Sequence, residues 1–118
     1  MQVRLELVLA RGATAAVRAE DTAAEGVLVN TGAEPLDVDL VELSSPSLAL
    51  EIIDEGGGTL PMLPPPTPGR PEIVTVAPGE RRSIPFRAFV PASAPLGRYR
   101  VRFRYRESRS DWVDLTLS

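Results

Sequence analysis

Short runs in which apolar and polar residues alternate recur along the chain, separated by clusters of Pro, Gly, Asn and Ser, and few windows sustain a helical period. The pattern predicts strands. Gln2 to Leu9 places Val3, Leu5, Leu7 and Leu9 on one face and Arg4 and Glu6 on the other. Gly12 to Glu25 is alanine-rich with Val17 nearly alone, which reads as a loose edge strand or loop, although the alanines would also suit a short helix. Gly26 to Val29 runs into Asn30-Thr31-Gly32, a turn signature, followed by Pro35 and the alternating run Leu36-Asp37-Val38-Asp39-Leu40, so two strands are expected to meet there. Ser47 to Ile53 sets Leu48, Leu50 and Ile52 on one side, and Asp54-Glu55-Gly56-Gly57-Gly58 closes it as a turn.

Pro61 to Pro71 holds six prolines in eleven residues. Each lacks an N–H, so the segment is expected to cross the surface between sheets; Pro64-Pro65-Pro66 could also present a polyproline ligand. Glu72 to Val76, Ala77-Pro78-Gly79-Glu80 and Arg81 to Val90 read as strand, tight turn and strand, and Pro91 to Gly97 as a crossing. Arg98 to Arg106 and Trp112 to Leu117 are the last two strands. Seven or eight strands with frequent turns and no intervening helices predict an all-β fold, an immunoglobulin-like antiparallel sandwich with Greek-key connections, spanning 1–118 as one domain. Tyr99, at the start of the penultimate strand, occupies the tyrosine-corner position and is expected to be structural.

The sharpest local feature is Arg98-Tyr99-Arg100-Val101-Arg102-Phe103-Arg104-Tyr105-Arg106. Period two places five arginines on one face and the aromatics with Val101 on the other, which must be core. A turn at residues 107 to 111 would set Arg106 opposite Trp112, Arg104 opposite Asp114, Tyr105 opposite Val113 and Phe103 opposite Leu115. On the other side of this strand, Leu36 to Leu40 is the expected neighbour, with Asp37 and Asp39 offsetting the arginines. The face then reads either as a solvated, charge-compensated surface or as a docking surface made of Arg98, Arg100, Arg102, Arg104, Arg106 and Trp112, with Trp112 as an aromatic anchor beside Arg106.

Composition narrows the chemistry. The 118 residues suffice for one core, and no apolar run is long enough to span a membrane. Arg4 and Glu6 interrupt the one stretch that resembles a signal core, which points to the cytoplasm. Cys and His are both absent, removing disulfides, thiol nucleophiles, zinc sites of the usual kind and His-based triads. Asp37 with Asp39, and Asp54-Glu55, match no calcium loop, and the glycine triplet matches no phosphate loop. No catalytic residue, cofactor or metal site is therefore expected. The net charge is −3, but residues 1–60 carry three Arg against eleven acids and residues 61–118 ten Arg against five. Interleaving of the two halves would neutralise much of this asymmetry. An acidic chain without nucleic-acid motifs argues against DNA or RNA as partner.

The stretches GVLVNTGAEPLDVDL at 26–40 and VAPGERRSIPFRAFVPASAPLGRYRVRF at 76–103 resemble bacterial immunoglobulin-like modules. SLALEIIDEGGGTL at 47–60, with Pro78-Gly79-Glu80 and Gly97-x-Tyr99, is also similar to bacterial intracellular proteinase inhibitors, although the proline-rich crossing departs from that pattern. These resemblances imply a β-sandwich. The expected function is non-enzymatic protein binding or scaffolding; the alternatives are proteinase inhibition through an exposed loop such as Gly56 to Pro71, or an accessory or adhesion-type role in a larger assembly. A protein partner is expected and no membrane; a homo-oligomer is left open but not predicted.

Overall fold

A computed structural model describes residues 2–10, 16–60 and 70–118. Most of the described chain is strand, and the alternating leucines at the start do what period two requires. In β1 (Val3–Leu9), Leu5, Leu7 and Leu9 are buried while Arg4 and Val8 are exposed. β1 pairs antiparallel with β3 (Ala23–Asn30), which pairs on its other side with β7 (Arg81–Arg87), giving a three-stranded sheet.

A second sheet has the order β2 (Ala16–Val17), β10 (Val113–Leu117), β8 (Gly97–Tyr105), β5 (Leu50–Asp54). Its pairs are antiparallel except β2 with β10, and the short β9 (Ser108–Arg109) folds back on β8. β4 (Leu36–Asp39) and β6 (Ile73–Val76) form a separate two-stranded ribbon.

The two larger sheets bury their apolar faces in one core. Leu5, Leu7, Leu28, Ile84 and Phe86 of the first share a cluster with Leu50, Ile52, Val101, Phe103 and Leu115 of the second. Phe103 reaches across to the first sheet: its ring meets Phe86 edge-on at 5.9 Å between centroids, and a Cβ on Gly26 would lie 3.1 Å from it. Glycine in the middle of β3 thus makes room for an aromatic from the opposite sheet.

Several expectations are corrected. β3 begins at Ala23, so the strand absorbs the end of the segment read as edge or loop, and Ala19–Asp21 is one turn of 3₁₀ helix; residues 12–15 of that segment lie outside the described residues. β3 and β4 do not pair across Asn30-Thr31-Gly32. Asn30 is buried there: its Nδ2 donates to the Glu34 and Val76 carbonyls at 2.8 and 2.9 Å, and its Oδ1 accepts from Gly32 N at 2.9 Å. The side chain fastens the crossing to the ribbon rather than closing a hairpin.

Two short helices, α1 (Leu40–Ser44) and α2 (Pro46–Ala49), replace the end of one expected strand and the start of another. Asp39 Oδ1 accepts from Val41 N at 3.0 Å as the N-cap of α1, and Pro46 opens α2 where its missing N–H costs nothing. Leu48 consequently does not share a face with Leu50 and Ile52 and is 43% exposed. β7 ends at Arg87, because Ala88 turns to a positive φ of 46°. Most of the proline-rich crossing, 61–69, lies outside the described residues. Among the described residues no helix is long and apolar enough to cross a membrane.

Candidate interaction face on the second sheet

β8 runs through the middle of the second sheet, and its alternation is carried through as expected: Tyr99, Val101, Phe103 and Tyr105 are buried, and Arg98, Arg100, Arg102 and Arg104 point away from the core. Tyr99 is fixed at the strand start by its hydroxyl, which donates to the Pro95 carbonyl at 2.5 Å. At the other end the buried Tyr105 Oη accepts from Asp39 N at 3.2 Å, fastening the sheet to the ribbon. The arginine strand is therefore held from beneath at both ends.

The hairpin after β8 differs from the expected one. Tyr105 pairs with Ser108, leaving only Arg106-Glu107 as the turn, and Arg106 adopts a φ of 54°. Arg106 is thus lifted off the strand, its guanidinium 5.2 Å from the Tyr105 ring. Beyond β9, residues 110–112 face 102–103, one residue more on the returning strand, which is a bulge. Ser110 fills it: its N donates to Phe103 O at 2.8 Å and its Oγ accepts from Phe103 N at 2.9 Å.

The partners on β10 are accordingly shifted by four residues. Asp114 lies opposite Arg100 rather than Arg104, and Leu115 opposite Tyr99 rather than Phe103. Trp112 meets Arg102, whose guanidinium carbon sits 4.2 Å from the ring centroid, not Arg106.

The second neighbour of β8 is β5, not Leu36 to Leu40, so the compensating carboxylate is Glu51. Asp37 accepts from Thr75 Oγ1 within the ribbon, and Asp39 caps α1. Glu51 lies directly opposite Arg102 and gathers three guanidiniums. Arg102 Nε donates to Oε2 at 2.7 Å, while Oε1 accepts from Arg109 Nε at 2.9 Å and Arg104 Nη1 at 3.3 Å. Arg104 also donates to the Leu48 carbonyl at 2.8 Å and Arg109 to the Arg106 carbonyl at 2.5 Å, tying α2 and the hairpin turn to the cluster. Burial alone would raise the Glu51 pKa; the Arg102 hydrogen bond and the fields of Arg102, Arg109 and Arg104 outweigh it, and the net shift is downward.

The opposite end of the face is open. Arg100 approaches Asp114 at 3.7 Å with 64% of its side chain exposed, and Arg98 makes no ion pair among the described residues. Both border an open groove of about 750 Å³ that is also lined by Ile53, Thr116, Asp114 and the turn from Asp54 to Gly57, so three carboxylates, Asp54, Glu55 and Asp114, stand beside the two arginines. Asp54 is committed to that turn, where its Oδ1 accepts from Gly58 N at 2.8 Å.

Of the six residues singled out from sequence, the structure brings Arg98, Arg100, Arg102, Arg104 and Trp112 together and sets Arg106 apart. It adds Glu51 and Arg109. Glu51 was legible as the polar residue alternating with Leu50 and Ile52, but the neighbour expected for the arginine strand was Leu36 to Leu40 and not the strand that carries it. No protein-family model matches the chain, and no curated protein aligns with it significantly.

Proposed function

We propose that the chain is an immunoglobulin-like sandwich with Greek-key connections that serves as a non-enzymatic protein-binding domain, docking an acidic partner on the outer face of β8. The fold reading is supported by an N-terminal segment divided between the two sheets, β1 in the first and β2 beside β10 in the second, and by the Tyr99 to Pro95 hydrogen bond at a sheet crossing. One observation carries the binding reading. In a chain of net charge −3, the face presents Arg98, Arg100, Arg102, Arg104 and Arg109 against Glu51 and Asp114 on the neighbouring strands and Asp54 and Glu55 on the adjoining turn, five cations to four carboxylates.

The partner is expected to engage Arg98 and Arg100, which are not held by the cluster, with the guanidinium stacked on Trp112 as a fixed edge of the site. The test is affinity capture from the native lysate with the wild-type chain and an Arg98→Glu/Arg100→Glu variant in parallel. A protein retained by the first and lost by the second, with retention weakening as salt is raised, supports the face. Equal retention by both, or loss only when the loop around Gly56 is altered, moves the function to the loops and favours proteinase inhibition.

A further inference from the structure

The sheet edges are protected unequally. β5 is covered by its own return: Ile53 bridges Thr59, and Leu60 N donates to Ile52 O at 2.9 Å. β2 is two residues long. On β7, Asn30 N donates to Glu80 O and Ala88 N to Thr22 O, so even-numbered residues face β3 and odd-numbered ones face outward. Pro85 is odd-numbered. Its nitrogen, which has no hydrogen, lies on the open edge, where proline blocks further pairing without removing a bond to β3.

Among the described residues β1 carries neither a proline nor a covering strand, although β9 of the same chain approaches it. Thr31 N donates to Gln2 O and Ala10 N to Ala23 O, which extends the β1/β3 register at both ends and assigns even-numbered residues to β3. Val3, Leu5, Leu7 and Leu9 therefore direct their N–H and C=O groups at the other edge, where β1 has no strand partner among the described residues. The strand is seven residues long without proline or bulge, and Val8 on its outer face is 57% exposed.

We propose that this edge pairs antiparallel with β1 of a second copy of the chain. Backbone parity allows only registers in which odd-numbered residues face odd-numbered ones. Centred on Leu5, the pairing sets Leu5 against Leu5 and Val3 against Leu7, and it sets Arg4 against Glu6 twice by symmetry. Centred on Glu6, it would oppose two glutamates; centred on Leu7, it adds no cross-chain partner to the Arg4–Glu6 and Arg81–Glu6 contacts, 3.2 and 3.8 Å, that each chain already makes. The Leu5 register is thus the self-complementary one, and it joins the two three-stranded sheets into one of six. An edge contact of this length is smaller than a standard interface, so the dimer is weak and concentration-dependent.

Sedimentation velocity from about 1 to 500 µM tests it, with circular dichroism melts to confirm that each variant is folded. Arg4→Glu and Glu6→Arg each put like charges in opposition and should raise the dimer dissociation constant about tenfold, and the combined exchange Arg4→Glu/Glu6→Arg should restore it to within about threefold. A chain that stays monomeric throughout, a dimer indifferent to the single reversals, or a double exchange that fails to restore association overturns the proposal.

Discussion

The two ends of the arginine strand carry the same residue at the same spacing and do different things with it. Toward the hairpin, Arg102 and Arg104 join Arg109 on Glu51; their side chains are 28 to 34% exposed, Glu51 is 21% exposed, and Trp112 covers one of the guanidiniums. Toward the strand start, Arg98 and Arg100 stand in solvent beside the groove. The cations at the first end are largely spent on structure, since their hydrogen bonds tie β5, α2 and the hairpin turn to β8. Those at the second end are spare, so a charged stripe that looks uniform in sequence divides into a scaffold and an available surface.

The largest expected effect comes from removing the centre of the scaffold. Glu51→Ala leaves three guanidiniums together without their shared carboxylate and should lower stability by about 1 to 3 kcal/mol in urea unfolding, after allowance for partial solvent screening. The same contact predicts a pH dependence. Because the folded pKa of Glu51 lies below the ordinary glutamate value of about 4.3, its contribution is complete above that value and is lost as pH falls through the lower folded value. Wild type and Glu51→Gln should therefore differ in stability at pH 7 and converge on acidification. A gap that stays constant would mean that the carboxylate's charge is not what the arginines read.

Trp112→Ala removes a half-buried ring and its cation–π contact with Arg102, a loss of about 1 to 2 kcal/mol. At the open end, Arg98→Ala and Arg100→Ala should each change stability by no more than about 0.5 kcal/mol, because an exposed pair at 3.7 Å contributes little. If these two variants are as destabilised as Glu51→Ala, the division of the strand fails.

How far this face could be read from sequence follows from the periodicity itself. Period two separates faces, so the burial of Tyr99 to Tyr105 and the outward arginines were legible, as were the leucines of β1. It says nothing about sliding by an even number of residues. Agreement in character on both faces held equally for the expected register and for the observed one four residues away. The register was set by Arg106-Glu107, a two-residue turn without the Asn or Gly that usually marks one, and by a bulge at Ser110 to Trp112. The neighbour of β8 was missed for a tertiary reason: α1 and α2 divert the chain between β4 and β5, so the strand that reaches β8 comes after the helices. Their local signals, Asp39 as N-cap and Pro46 at the first helical position, were present but lay inside runs that also alternate.

The account's central claim is that the open end of this face receives a protein partner, and amide chemical-shift mapping tests it most directly. Titration of the isotope-labelled chain with the captured partner should shift the amides of Arg98, Arg100, Ile53, Asp114 and Thr116 while leaving the crossings at 30–35 and 77–80 unchanged. Shifts confined to those crossings, with β8 silent, would contradict it.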